Sequence, residues 1–343
     1  VLKTTVIGSY PVPEWLKLHP TAETLIDALT VVLRAQEAAG LDVIADGELG
    51  RWDLTRNAPG GMIERFVRPL QGVQTELTRT QLEHFQARTA MSYRGRPAGV
   101  VIGPLGEGTL DLKRDFERAR QLTCHPLKFT ITSPYMMAKV LDDHYYTDFE
   151  RLTLALADLL ASQLRGVGAD VVQVDEANLP GSPQDGELAA HAINRVLDAA
   201  ESPERAVHLC FGNYRGQRIQ SGDYSQLIDF MNRLRCDHLL VEMTRRSASE
   251  IERLREVAPP KRFGLGVIDV KDLQIEEPET VARRIEALAQ RLGEERLAYV
   301  NPDCGLGVLP RVIADAKLRA LVAGRDLFLG RQQTDHDQNT TLG

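Results

Sequence analysis

Asp170-Val171-Val172-Gln173-Val174-Asp175-Glu176 is the stretch on which the fold turns. Its apolar part does not alternate with polar residues, as a half-exposed strand would. It reads as a parallel strand buried on both faces, ending in two acids. A helix pattern follows over Glu187–Ala200. Working outward, the same unit recurs. Further strands are expected at Thr4–Ser9, Leu41–Asp46, Phe129–Ser133, Ala206–Phe211, His238–Thr244, Phe263–Asp269 and Leu297–Asp303. Between them lie helix patterns at Ala22–Ala39, Phe149–Arg165, Tyr224–Leu234, Glu250–Val257, Pro278–Leu292 and Arg311–Leu327. Alternation of this kind is the mark of a parallel α/β architecture. Eight strands favour a closed (β/α)8 TIM barrel over an open doubly wound sheet. The absence of a G-x-G-x-x-G turn after the first strand removes the main dinucleotide-binding signature.

The rhythm breaks over about 53–106. That segment has its own strand-like pieces at Gly72–Leu77 and Gly99–Gly103 and a turn at Arg94-Gly95-Arg96-Pro97. It reads as an insertion between strands 2 and 3, built around a β-hairpin. The barrel with its insertion occupies 1–330 as one catalytic domain, and the polar tail 331–343 is expected to be disordered.

A chain of 343 residues with 43% hydrophobic and 26% charged content reads as a soluble globular protein. A net charge of −7 offers no basic field for nucleic acid and no polybasic patch for a membrane. No apolar run approaches the roughly 20 residues of a membrane span, and the start of the chain, Val1-Leu2-Lys3-Thr4-Thr5-Val6, lacks a secretory h-region. A cytoplasmic location is the expectation. There, the four cysteines point to metal or catalysis rather than to disulfides.

Nearly every strand ends in a polar residue, and in a barrel the C-terminal strand ends converge on one mouth. His208 and Cys210 are two apart on one strand, so they share a face. An imidazole beside a thiolate suits zinc. Cys304, after Asn301-Pro302-Asp303, places a thiol at the mouth, and Glu242 ends the strand after the His208 strand as a fourth donor. Each also has a plainer reading: buried cysteine as a small hydrophobe, strand-end glutamate as a helix cap. Cys124 and Cys236 fall away from strand ends and read as structural.

Six segments in order, Ile7-Gly8-Ser9, Asp46-Gly47-Glu48, Val172-Gln173-Val174-Asp175-Glu176, His208-Leu209-Cys210, Val241-Glu242 and Val300-Asn301-Pro302-Asp303-Cys304-Gly305, resemble the catalytic half of cobalamin-independent methionine synthase, in its single-barrel, core-only form. The resemblance implies a Zn2+ site of His208, Cys210, Glu242 and Cys304. It also implies a homocysteine pocket in which Glu48 and Asp175 hold the amino group. Ser9, with the backbone of Ile7 and Gly8, would hold the carboxylate. The chemistry agrees: zinc converts a thiol of pKa about 8.5 to thiolate at neutral pH, and two acids suit an ammonium group.

Three features depart from the longer family members. A second, N-terminal barrel is lacking. Lys271, in Ile268-Asp269-Val270-Lys271, stands where they carry a catalytic histidine, and is the candidate for a charge-partner or catalytic role. Ile131-Thr132-Ser133-Pro134-Tyr135-Met136 replaces a Thr-Gly-Pro stretch, and the tryptophan that would stack on folate is missing, with Tyr145 and Tyr146 as the nearby aromatics. The leading expectation is a zinc-dependent methyltransferase making methionine from homocysteine. Its donor is a methylcorrinoid or a methyl group supplied by a partner protein, not polyglutamyl folate. The alternatives are a zinc-dependent thiol alkyltransferase of the epoxyalkane:coenzyme M type, and a non-catalytic zinc-stabilised partner protein docking through 53–106.

Overall fold

The apolar runs demand burial on both faces, and the computed structural model of the chain supplies it. Residues 1–54, 58–59, 61–88, 94–213 and 220–330 are described; the tail expected at 331–343 lies outside them. Eight strands form one sheet: β1 Lys3–Thr4, β2 Ile44–Ala45, β3 Leu127–Thr132, β4 Val171–Glu176, β5 Glu204–Leu209, β6 His238–Val241, β7 Arg262–Ile268 and β8 Leu297–Pro302. Every residue of β3, β4, β6 and β8 is buried.

The order around the sheet is β1-β8-β7-β6-β5-β4-β3-β2, and every neighbouring pair is parallel. The sheet is barrel-like, curled until its edge strands touch. Thr5 bridges Val43 in parallel, the Val43 amide donates to the Thr4 carbonyl at 3.1 Å, and the Thr5 hydroxyl donates to the Val43 carbonyl at 2.9 Å. β1 and β2 have only two residues each in the ladder, which is why the runs at Thr4–Ser9 and Leu41–Asp46 look longer in sequence than in the sheet.

A helix follows each strand: α1 Ala22–Ala38, α2 Leu112–Arg120, α3 Phe149–Leu164, α4 Gly186–Ala199, α5 Ile228–Arg233, α6 Ala248–Arg253, α7 Pro278–Leu292 and α8 Arg311–Phe328. Side-chain oxygens of Thr21, Asp111, Asp148 and Ser247 accept from the first-turn amides of α1, α2, α3 and α6. α7 buries Val281, Ile285, Leu288 and Leu292, one stripe against the sheet. Helix α2 was not legible in sequence. It is highly charged, and only Leu112, Phe116 and Ala119 are buried.

The large core lies between sheet and helices, whereas a small separate cluster of Ile7, Val43, Val171, Ala206, Leu240, Ala298 and Tyr299 fills the interior. Because side chains alternate, Gln173 and Asp175 continue the row of Val171, His208 and Cys210 that of Ala206, and Glu242 that of Leu240. Each row passes from apolar to polar towards the C-terminal end of its strand.

Between β2 and α2 the chain leaves this pattern. Gln71–Gln74 pairs antiparallel with Val100–Gly106, which pairs parallel with Asp142–Asp143, a short strand arriving after β3. Helices Glu64–Val67 and Arg79–Arg88 belong to the same region. The hairpin expectation thus finds an antiparallel pair, joined by a third strand from outside the segment. Among the described residues no helix is long and apolar enough to cross a membrane.

Candidate metal and substrate site

At the end of β5 the Cys210 amide donates to the Glu176 carbonyl (3.2 Å), which fixes the first residue beyond the ladder. A ring nitrogen of His208 and the sulfurs of Cys210 and Cys304 lie within 4.8 Å of one another. His208 Nδ1 is 3.1 Å from the Leu240 carbonyl. A carbonyl only accepts, so Nδ1 donates to it and Nε2 is the ring nitrogen left for the sulfurs or a metal ion. That Nε2 is buried without a hydrogen-bond partner among the described residues. The two thiols share one hydrogen bond. It lowers Cys304 well below the ordinary thiol range, helped by His208, and raises Cys210, which burial raises further. Cys304 is thus the more acidic thiol of the pair. The same contact with Cys304, with the nearby Asp175 charge and the Leu240 carbonyl, raises His208 against the effect of burial. An imidazole and two sulfurs facing one another make a soft donor set for a metal ion.

Cys304 is positioned from both sides. Asp303 Oδ1 accepts from the amides of Met243 (2.8 Å) and Thr244 (3.2 Å), its Oδ2 accepts from the Thr244 hydroxyl, and the Asp303 amide donates to the Ile268 carbonyl at 2.9 Å. The end of β8 is therefore tied to the ends of β6 and β7. Burial pushes the Asp303 carboxyl up to about 6, against those hydrogen bonds.

Glu242 stands beside the three donors, but its carboxylate is turned elsewhere. Oε1 accepts from Arg246, and Oε2 lies 3.3 Å from Lys271 Nζ. Both ion pairs are buried. Arg246 also reaches Glu250 Oε1 at 3.2 Å, and its guanidinium carbon is 3.7 Å from the centre of the Phe211 ring. The Tyr224 hydroxyl accepts from the Glu242 amide (3.0 Å) and donates to the Leu209 carbonyl (3.1 Å), which locks the end of β6 to β5. Lys271 thus faces the site as the counter-charge of Glu242.

Glu48 has a left-handed backbone (φ 58°) immediately after Gly47 (φ 67°), a turn that swings its side chain back over the strand ends. Its carboxylate pairs with Arg51 (2.7 Å) and accepts from the Thr130 hydroxyl (3.1 Å). It is pressed against Gly8, where a Cβ would come within 2.1 Å of Glu48 Oε1. Asp175 stands in register with His208 and accepts from Gln173 Nε2 at 2.6 Å. Burial, then the charge of Glu48, pushes its carboxyl up to about 7; His208 and Arg51 act in the opposite sense. The two acids therefore feel each other, with Arg51 as the cation already paired to Glu48. The Ile7 carbonyl accepts from Gln173 Nε2 at 2.8 Å. The Ser9 carbonyl accepts from Leu306 N at 2.8 Å, and Ser9 Oγ would be 2.1 Å from a Cβ on Gly305. The segment Ile7–Ser9 is thus held against the loop that carries Cys304.

Several contributors were not foreseen: Arg246, Arg51, Thr130, Gln173 and Lys128. Lys128 is buried in the interior, where its Nζ hydrogen-bonds the Val6 carbonyl and Gln173 Oε1, and burial pulls its ammonium down to about 7. A lysine between Leu127 and Phe129, at the start of a buried strand, is the signal that could have found it. Of the other cysteines, Cys236 is buried and Cys124 is exposed. The Tyr146 hydroxyl accepts from the Leu105 amide at 3.1 Å, and Tyr145 stacks edge-on against Tyr146 with the ring centres 5.1 Å apart.

The fold and site define a barrel-like parallel α/β protein with a metal-competent cluster of imidazole and sulfur at the C-terminal strand ends. Residues 2–325 match the model of the cobalamin-independent synthase catalytic domain, and the chain belongs to that family. It is similar to the methionine synthase of Thermococcus kodakarensis, 29% identical with 100% of this chain and 97% of the relative covered. The methionine synthase of Sulfurisphaera tokodaii is 30% identical, with the same shares covered. Among solved structures, the B12-independent methionine synthase of Shewanella sp. W3-18-1, in complex with selenomethionine, superposes with a TM-score of 0.78 at 23% identity, covering 96% of this chain and 98% of that one. A methyltransferase from Methanosarcina mazei superposes with a TM-score of 0.58 at 17% identity, covering 96% of this chain and 95% of that one. At these identities the structural likeness speaks for the fold alone.

Proposed function

We propose that the chain is a zinc-dependent methyltransferase that converts homocysteine to methionine, built as one (β/α)8 barrel over 1–330 with 53–106 as an insertion. Its relatives bear the name methionine synthase. The observation that carries the metal half of this reading is the buried, unpartnered Nε2 of His208 beside the sulfurs of Cys210 and Cys304. In the absence of an ion that arrangement leaves a desolvated ring nitrogen unsatisfied, which is costly. His208, Cys210 and Cys304 would hold the ion, with Glu242 as fourth donor once Lys271 releases Oε2. When bound, zinc supplies a positive charge that makes a ligated thiol a thiolate at neutral pH.

The chain's own residues do the rest. Glu48 and Asp175 take the ammonium group, which would draw the Asp175 carboxyl down from its raised value. The Ser9 hydroxyl and the backbone of Ile7 and Gly8 take the carboxylate. Arg246 and Lys271 balance Glu242, so the net negative donor set does not repel the substrate sulfur. A thiol with a sulfonate in place of an amino group, such as coenzyme M, would bring another anion to two acids whose neighbouring Arg51 is already paired with Glu48, which disfavours the alkyltransferase alternative. A non-catalytic partner protein would need neither acid. Missing folate-stacking tryptophan points to a methylcorrinoid or a partner-supplied methyl group as donor.

Zinc-loaded protein should form methionine from homocysteine and free methylcobalamin, measured by mass spectrometry, and Cys304→Ser should lose both zinc and product. Full zinc and full turnover in Cys304→Ser would overturn the metal assignment. Binding of coenzyme M but not of homocysteine would overturn the substrate.

A further inference from the structure

A second constellation lies away from this site, where helix Arg79–Arg88 passes the short strand Asp142–Asp143. Asp142 is fully buried, while His84 and His144 are partly exposed. One carboxylate oxygen, Asp142 Oδ2, is 2.9 Å from His144 Nε2 and 3.6 Å from His84 Nδ1. The three donor atoms lie within 4.8 Å of one another, and the two rings meet edge to face with centres 5.7 Å apart. The backbone is fixed at the same place, since the amides of Asp142 and His144 donate to the carbonyls of Gly99 and Val101, each at 3.0 Å. Asp142 and His144, two apart, present the same face.

We propose that His84, Asp142 and His144 form a second metal site, selective for a borderline transition ion such as Zn2+, Co2+ or Ni2+, that clips helix Arg79–Arg88 to the three-stranded sheet. Two imidazole nitrogens aim at one carboxylate oxygen. His144 is within hydrogen-bond distance of it at 2.9 Å, but His84 at 3.6 Å is beyond such a bond, whereas a divalent ion would engage all three groups. Donor bonds of about 2.1 Å place neighbouring ligands about 3.0 Å apart in an octahedron and about 3.4 Å in a tetrahedron. The observed 2.9 and 3.6 Å fall about these values. Two nitrogens and one oxygen suit zinc, cobalt or nickel rather than calcium or magnesium, and the exposed edges of the rings leave water to complete the shell. The histidines come from two elements distant in sequence, so the ion would crosslink them. The helix otherwise contributes little to the core: among its described side chains only Phe85 is buried.

The test uses the full chain, stripped with chelator and titrated with Co2+. One equivalent should bring sulfur-to-cobalt charge-transfer absorption from the Cys210 and Cys304 site. A second should bind without that absorption, and should slow amide exchange over 79–88. His84→Asn with His144→Asn should bind one equivalent, with the sulfur band intact. His144→Asn alone should weaken the second equivalent by more than roughly 100-fold, beyond what loss of an outer-shell partner costs. Cys210→Ser with Cys304→Ser should keep one equivalent and lose the band, so this proposal and the zinc reading above fail separately. Saturation of the unmodified chain at one equivalent would overturn the proposal, as would retention of both equivalents after loss of both histidines.

Discussion

Replacing Lys271 by methionine separates a counter-charge from a proton donor. The Lys271 ammonium reaches Glu242 Oε2 at 3.3 Å in a buried pair, and Arg246 holds Oε1. Removing one partner of a buried pair costs about 3–5 kcal/mol when the other charge is left alone. Arg246 remains, so the loss in metal-free protein is closer to that of one charge-assisted hydrogen bond, about 2 kcal/mol. In zinc-loaded protein Oε2 would serve the metal, and Lys271 would be a buried cation near a dication. Its removal there is expected to be neutral or favourable. Linkage then requires Lys271→Met to bind zinc more tightly by about 2 kcal/mol, roughly thirtyfold. Competition against a chromophoric chelator measures that affinity, and urea unfolding with and without zinc measures the two stabilities. The zinc-saturated variant should keep its kcat within about tenfold, whereas loss of a general acid costs 10²–10⁴-fold, to order of magnitude. Zinc affinity that is unchanged or weaker would refute the exchange of Lys271 for metal at Glu242.

Three further outcomes follow from the same contacts. Asp303→Ala frees the two amides and the hydroxyl that tie β8 to β6, and should weaken zinc by about 10–100-fold while leaving Cys304 in place, as read by metal titration. Asp175 has a folded carboxyl raised from 3.8 to about 7, so the folded state binds this proton more tightly than the unfolded state does. Its contribution is fully present below pH 3.8 and is lost as pH rises to about 7, by up to about 4 kcal/mol. Metal-free Asp175→Asn should therefore gain stability relative to the unmodified chain between pH 4 and pH 8 in urea unfolding; parallel pH profiles would refute this. Gly305→Ala puts a Cβ 2.1 Å from Ser9 Oγ and should raise the KM for homocysteine without lowering zinc content.

The strand ladder was legible because burial on both faces writes itself into a sequence as unbroken apolar runs, as in Val171-Val172 and His238-Leu239-Leu240-Val241. The residues at the mouth were legible because strand ends alternate: His208 and Cys210 had to share a face. What the sequence hid was pairing across the mouth. Glu242 read as a metal donor or a helix cap, yet Arg246, four residues on, and Lys271, after the next strand, both reach it. No periodicity reveals that, because Arg246 lies in the turn before α6. Helix α2 was hidden by its charge, and the grouping of His84 with His144 by the 60 residues that separate them. Glu48 follows Gly47 in sequence, but its left-handed turn and its pairing with Arg51 depend on that glycine and on the close approach of Gly8.

Thiol activation at the His208–Cys210–Cys304 cluster is tested most directly by counting protons. Calorimetric titration of homocysteine in buffers of different ionisation enthalpy gives the protons released per molecule bound. The same titration with methionine, which has no thiol proton, subtracts whatever Asp175 and Glu48 release. At pH 7 zinc-loaded protein should release about one proton more with homocysteine than with methionine, since a free thiol of pKa about 8.5 is almost fully protonated there. Metal-free protein should show no difference. An equal release for both ligands in the zinc-loaded protein would contradict thiol activation at this site.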